Sequence, residues 1–193
     1  MRLMKTQIPA AALRAARALL RQSRAEICDG ARVNEKSMRD AEAGRRKTDP
    51  SNLRLRDYYE SQGLEFVGTV DIGSGAISGL GVRWRDPRSH VQPPENVAYK
   101  STDVEFALGA ARAFLGLTAK DAAAALGIHR QTLPEIESSQ SCDSDIQRKL
   151  VQFYRTRGII FLGWRDENTD RYFGVGVMTT EQVVSTPSAS LAG

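Results

Sequence analysis

The sequence predicts a mainly α-helical fold with a small β component, made of two copies of one unit. Each copy is predicted to hold four helices followed by a β-hairpin. Three observations support this fold class. The chain matches itself when it is shifted by 95 residues, apolar residues recur at helical spacing early in each copy, and each copy ends in two alternating, strand-like runs.

The repeat aligns residues 12–82 with residues 107–177 without a gap. Chance does not keep one ungapped register over this length, so we interpret the chain as a duplicated unit. The identical pairs include Leu13/Leu108, Arg17/Arg112, Glu42/Glu137, Tyr59/Tyr154, Gly81/Gly176 and Val82/Val177.

The first two helices of copy one have clear start signals. Pro9 suits a first helical turn, and apolar residues recur at helical spacing as far as Leu20. Ser23 followed three positions later by Glu26 forms a capping-box pattern. It predicts a short second helix that ends near Ala31.

The rest of copy one contains two more helices and a hairpin. Asn34 is a good cap for a third helix to about Ala43, and Gly44 is placed to end it. The pair Asp49-Pro50 starts a fourth helix that Gly63 stops. The alternating runs 64–67 and 80–84 predict the two strands.

Copy two follows the same order. Thr102 or Asp103 is expected to cap its first helix, Thr118 its second, and Gly158 to end its fourth. His129 is expected at the start of the third helix. The predicted strands are Ile159–Trp164 and Tyr172–Met178.

Pro134 is the main departure of copy two from this pattern. If His129 is the cap, Pro134 falls at the fifth position of the third helix, where it removes the hydrogen bond to the Arg130 carbonyl. The expected cost is about 3 kcal/mol unless that helix starts late or kinks.

The composition divides the chain into four segments. We assign residues 1–85 to a basic first unit, 86–101 to a linker, 102–180 to a degenerate second unit and 181–193 to a tail predicted to be disordered. The first 85 residues contain 16 Lys and Arg against 10 Asp and Glu, and the remainder contains 11 against 13. A polyanionic partner would therefore meet mainly the first unit.

Several function classes have no support in the sequence. No stretch approaches the roughly 20 apolar residues of a membrane span, and two Cys with two His cannot form a paired zinc site. The Gly-rich run 73–81 lacks the Gly-Lys-Ser/Thr ending of a phosphate loop. We therefore expect a cytoplasmic protein that is not an enzyme and has no cofactor, metal site or membrane partner.

The segments 13–20, 23–28 and 33–44, together with 117–137 in copy two, resemble the XRE, or lambda-repressor-like (Cro-type), helix-turn-helix family. The resemblance covers about 55 residues of each copy. It implies two four-helix helix-turn-helix units, in which the third helix enters the major groove of DNA.

The resemblance also implies which side chains contact double-stranded DNA. The residues expected to contact base edges face outward from the third helices or lie at their starts; they are Glu35, Lys36, Arg39 and Asp40, and His129, Arg130 and Gln131. The residues expected to bind phosphates are Ser23, Arg24, Ser37, Arg45, Arg46, Lys47 and Thr118.

Two functional hypotheses follow. In the first, the chain is a sequence-specific transcriptional regulator that acts as an intramolecular pseudo-dimer, with both hairpins in one sheet around a pseudo-twofold axis. In the second, it is a protein-interaction module that binds a regulator, the transcription machinery or a second copy of itself, with DNA binding confined to copy one or lost. Pro134 and the acidic second half favour the latter for copy two.

Overall fold

The computed structural model describes residues 7–45, 50–70, 76–88, 99–138, 144–180 and 183–184. Over these residues the protein is mixed, with eight α-helices and one antiparallel sheet. The described part of the chain contains no helix with the length and apolar character needed to cross a membrane.

The first half contains four helices and two strands. The helices are α1 (Ala10–Leu20), α2 (Arg24–Ala31), α3 (Glu35–Glu42) and α4 (Pro50–Ser61). The strands are β1 (Leu64–Val70) and β2 (Ala76–Trp84). Each helix begins and ends within a residue or two of its predicted position, and both strands extend beyond the predicted runs.

The second half repeats this order. Its helices are α5 (Leu108–Phe114), α6 (Ala119–Leu126), α7 (Thr132–Ser138) and α8 (Ser144–Arg155). Its strands are β3 (Ile159–Asp166) and β4 (Arg171–Thr179), with a short unpredicted strand β5 (Val183–Val184).

The start of α5 corrects one prediction. Neither Thr102 nor Asp103 caps this helix, which begins at Leu108 after Ala107 and has no side-chain cap. Thr102 instead exchanges two backbone hydrogen bonds of 2.8 Å with Tyr172 of β4. The chain before α5 is therefore held along the sheet, and the helix starts several residues later than its equivalent in the first half.

The two hairpins form one sheet, as hypothesised. The strand order is β1-β2-β4-β3, and β5 pairs with β2. On the central strands, the buried side chains that are large and apolar alternate along the chain, with Leu80, Val82 and Trp84 on β2 and Val175 and Val177 on β4. Helices α1 and α4 pack on the first hairpin, and α5 and α8 on the second.

The junction of β2 and β4 has a symmetric register. Val82 pairs with Val177, its own equivalent in the repeat. Gly81 pairs with Met178, and Arg83 pairs with Gly176. Gly81 is equivalent to Gly176 in the repeat and Arg83 is equivalent to Met178, so the two pairs are related by the same symmetry. An approximate twofold axis therefore passes between Val82 and Val177.

The two glycines of this junction allow the strands to approach closely. A Cβ atom on Gly81 would lie 2.3 Å from the carbonyl oxygen of Val177, and one on Gly176 would lie 2.3 Å from that of Val82. Helices α1 and α5, equivalent in the repeat, also pack against each other. Buried apolar residues of both halves form one continuous core.

Candidate nucleic-acid interface

The candidate interface begins with α2 and α3, two eight-residue helices joined by a tight turn. The hydroxyl of Ser23 accepts from the backbone N–H of Glu26, while the Glu26 carboxylate accepts from the backbone N–H of Ser23 at 2.7 Å. Arg32 ends α2 in the left-handed conformation. Asn34 then caps α3 by accepting from the backbone N–H of Ser37 at 2.8 Å.

The turn fixes which face of α3 points outward. Ile27, Cys28 and Ala31 of α2 are buried, as are Met38 and Ala41 of α3. The side chains of Glu35, Lys36 and Arg39 are exposed, and Ser37 is half-buried. Three of the four predicted base-contacting residues of copy one thus lie on the solvent side of α3.

The expectation that Asp40 faces outward is wrong. Asp40 is buried, and its carboxylate lies 3.4 Å from Nη1 of Arg45. Both α1 and α4 pack against α3. They cover a wider face of its C-terminal half than the single apolar face that its sequence pattern predicts. Asp40 is therefore not placed to contact a base edge.

A buried carboxylate joins three of the helices. Glu42 is 4% exposed, and its carboxylate accepts from Nε of Arg17 at 2.6 Å and from Nε of Arg24 at 2.9 Å. Arg24, expected to bind a phosphate, is thus held against the protein, with about half of its side chain exposed. Helical spacing and capping patterns do not predict this network. Its signal was the identity of Arg17 with Arg112 and of Glu42 with Glu137 in the repeat.

The second half contains the same pair without the second arginine. Arg112 binds both carboxylate oxygens of Glu137, at 2.6 and 2.8 Å. The hydrogen bond to this carboxylate raises the pKa of Arg112. Ala119 stands where copy one has Arg24, so Glu137 binds one guanidinium among the described residues.

The candidate base-contacting residues of the second half lie before α7. His129, Arg130 and Gln131 are exposed in a turn, in which Nδ1 of His129 accepts from the backbone N–H of Gln131 at 3.4 Å. Because α7 begins at Thr132, Pro134 is its third residue. The first four N–H groups of a helix have no partner within it, so Pro134 removes no bond of α7.

The hydroxyls expected to bind phosphates are already engaged. The Ser23 hydroxyl donates to Glu26 at 2.7 Å, and the Thr118 hydroxyl donates to Asp121 at 2.6 Å. These hydrogen bonds lower the pKa values of both carboxyls. The N-termini of α2 and α6 therefore already carry a negative charge, which weakens their attraction for a phosphate.

Of the basic loop that follows α3, Arg45 is within the described part of the chain. Its side chain is 72% exposed and weakly paired with Asp40. Arg46 and Lys47, also expected to bind phosphates, lie outside the described residues.

Metal binding has no candidate site in the described segments, in which no group of three or more His, Cys, Asp or Glu side chains could hold an ion. Cys28 is buried, and its sulfur lies 3.4 Å from that of Met38. Burial raises the pKa of this thiol.

No protein-family model, no curated protein and no solved structure matches this chain.

Proposed function

We propose that the protein is a sequence-specific, double-stranded DNA-binding transcriptional regulator that acts as an intramolecular pseudo-dimer. In this proposal, α1–α4 and α5–α8 are two lambda-repressor-like helix-turn-helix units, with α3 and α7 as recognition helices. The observation that carries this proposal is the symmetric pairing of Val82 with Val177. This pairing relates the helices α2 and α3 to the helices α6 and α7 about one axis, in the same way that the two halves of a dimer are related.

The twofold arrangement supports binding to two half-sites. Dimeric helix-turn-helix proteins place their recognition helices about 34 Å apart, so that both enter the major groove on one side of the duplex. The outward residues differ between the halves: Glu35, Lys36 and Arg39 in one, and His129, Arg130 and Gln131 in the other. We therefore expect an asymmetric operator.

Salt dependence tests the DNA-binding proposal directly. Fluorescence anisotropy with genomic fragments selected by the protein should give a slope of log K against log[salt] of about −3 to −5, corresponding to three to six phosphate contacts. A flat dependence, or no binding at low salt, would contradict the proposal.

Footprinting of the selected site should show protection over two half-sites by one chain, and protection of a single half-site would exclude the pseudo-dimer.

Substitutions separate base contacts from phosphate contacts. Lys36→Gln, which installs the residue of copy two, should change the preferred sequence with a discrimination effect of about 1–3 kcal/mol at one base pair. Arg45→Ala should weaken binding to all sequences alike and reduce the salt slope by about one.

A second candidate function is a protein-interaction module. The observation that favours it is that groups expected to bind phosphates already interact with carboxylates of the protein. Arg24 is bound to Glu42, and Glu26 and Asp121 occupy the N-termini of α2 and α6. A gel shift with random genomic fragments at low salt distinguishes the two candidates. Retardation supports the DNA-binding regulator, and its absence at micromolar protein supports the module.

A further inference from the structure

The first half has arginine at two positions where the second half has glycine. Arg21 ends α1 with φ 55° and Arg32 ends α2 with φ 53°, both in the left-handed region. Their repeat equivalents, Gly116 and Gly127, have φ 71° and 66°. A side chain in this conformation costs free energy that glycine avoids. The first half therefore carries two guanidinium groups at strained positions.

Arg21 lies at a cleft between the two halves. This inter-repeat cleft has a volume of about 340 Å³, and α1 supplies one wall while α5 and α7 supply the other. Its lining includes Arg14, Arg17, Arg21, Arg112, Pro134 and Glu137. Four arginines thus converge on one cavity, three from the first half and one from the second.

Arg14 uses its guanidinium to bind backbone carbonyls. It donates to the carbonyls of Ala113 and Phe114 at the end of α5, at 2.9 and 3.0 Å, and to that of Glu42 at 2.6 Å. Burial lowers the pKa of Arg14. Its charge therefore offsets the partial negative charge at the ends of α5 and α3.

The remaining arginines differ in their partners. Arg17 is paired with Glu42, and Arg112 with Glu137. The side chain of Arg21 is exposed and makes no hydrogen bond or ion pair with any described residue. Since the other three charges are balanced by carboxylates or helix ends, the described lining of the cleft keeps an excess positive charge centred on Arg21.

We propose that the inter-repeat cleft binds a phosphate group, with Arg21 as its main ligand. A guanidinium binds phosphate oxygens through two parallel N–H groups, a geometry that a lysine cannot provide. The cavity is at the small end of the range for ligand pockets, about 300–1,000 Å³, and suits one phosphorylated group. The phosphate could belong to a free small molecule or to the backbone of a nucleic acid. The site does not depend on the proposed function.

Inorganic pyrophosphate is a suitable probe, and thermal unfolding followed by circular dichroism is the measurement. Pyrophosphate should raise the midpoint of the full-length protein more than sodium chloride of equal ionic strength does. Arg21→Gly should raise the apparent Kd at least about tenfold. This variant should fold, because glycine holds the same conformation at position 116.

Arg32→Gly is the matched control. It removes the same charge and the same left-handed strain outside the cleft, and should leave the pyrophosphate effect within about twofold, a change of less than 0.5 kcal/mol. The proposal is overturned if pyrophosphate acts no differently from chloride and Arg21→Gly leaves the salt slope for DNA unchanged. It is also overturned if the two glycine variants lose the pyrophosphate effect equally.

A duplex of random sequence identifies the source of the phosphate. If the cleft holds a backbone phosphate, Arg21→Gly should reduce the salt slope for this duplex by about one. If it holds a free ligand, the variant should lose the pyrophosphate effect while its DNA slope stays unchanged. A failure of DNA binding by the wild-type protein would contradict the proposed function and leave the pyrophosphate result to decide this site.

Discussion

Glu42 and Glu137 occupy equivalent positions but have different partners. Glu42 accepts from two arginines of the first half, whereas Glu137 is bound by one arginine through both oxygens. Both carboxylates are largely buried, at 4% and 9% side-chain exposure. Removing one member of a buried ion pair is destabilising because it leaves the other charge without compensation.

Glu42→Gln should lower the free energy of unfolding by about 3 kcal/mol, and Glu137→Gln by a similar amount. Chemical denaturation measures both. Only Glu42→Gln also releases Arg24, so only this variant should steepen the salt slope for DNA, by about one. Unchanged stability of Glu42→Gln would show that the buried pair does not form in solution.

Tyr59 and Tyr154 form a second equivalent pair. Both are fully buried, and neither hydroxyl has a hydrogen-bond partner among the described residues. Burial, with a smaller contribution from Glu42 or Glu137, raises the pKa of each hydroxyl. A buried hydroxyl without a partner costs free energy that phenylalanine would not.

Tyr59→Phe and Tyr154→Phe should therefore leave the stability unchanged or raise it by about 1 kcal/mol each. The pH dependence has a definite sign. Because the folded pKa is raised above the unfolded value of about 10, unfolding releases protons above that pH, and stability falls as the pH rises. The double variant should unfold at a higher pH, as judged by circular dichroism. Loss of more than about 2 kcal/mol in either single variant would indicate a partnered hydroxyl.

At the scale of elements, the residues at which the helices begin show which sequence patterns predicted the structure correctly and which did not. Ser23, Asn34 and Thr118 cap their helices as predicted, because a cap is a local interaction over three residues. The start of α5 was mispredicted because Thr102 pairs with Tyr172, a partner 70 residues away in sequence. His129 lies near α7 but does not begin it, and the late start accommodates Pro134.

Pro134→Ala should change the stability by less than about 1 kcal/mol, since the third residue of a helix has no N–H bond to lose. The equivalent position in the first half, Arg39, supplies the contrasting variant. Arg39→Pro places proline at the fifth position of α3, where the N–H bonds to the Glu35 carbonyl, and should cost about 3 kcal/mol. Denaturant midpoints of the two variants test this. Equal effects would mean that α7 begins earlier than Thr132.

At the scale of the whole molecule, the two halves are joined across the twofold axis. Strands β2 and β4 pair, α1 packs on α5, and Arg14 of α1 binds the last carbonyls of α5. Trp164 of β3 also donates to Asp86, which lies two residues after β2 at the start of the predicted linker, at 3.1 Å. A continuous core across these contacts predicts a single cooperative unfolding transition.

Gly81→Ala should destabilise the molecule by about 1–3 kcal/mol, because its Cβ would overlap the backbone of β4 and separate the strands. Gly109→Ala is the control. A Cβ atom at position 109 would make only ordinary van der Waals contacts with Glu137. Because alanine also favours the helix, the free energy of unfolding should rise by up to about 1 kcal/mol. Calorimetry should show the Gly81 variant losing cooperativity between the halves. An unaffected variant would argue against the close approach of β2 and β4.

The candidate interface was only partly predictable. The exposure of Lys36 and Arg39 follows from helical spacing and capping, which are local. The burial of Asp40 and the pairing of Arg24 with Glu42 depend on how α1 and α4 pack around α3. Spacing within one helix contains no information about the width of the face that its neighbours cover.

The sequence by itself determined the repeat, the order of helices and strands and most of the helix caps, because these depend on neighbouring residues or on comparison of the chain with itself. Only the tertiary structure decided that Val82 meets Val177, that Arg21 faces a cleft between the halves, and that Arg24 is neutralised. These contacts join residues far apart in the chain. Their geometry is set by the packing of both halves into one core.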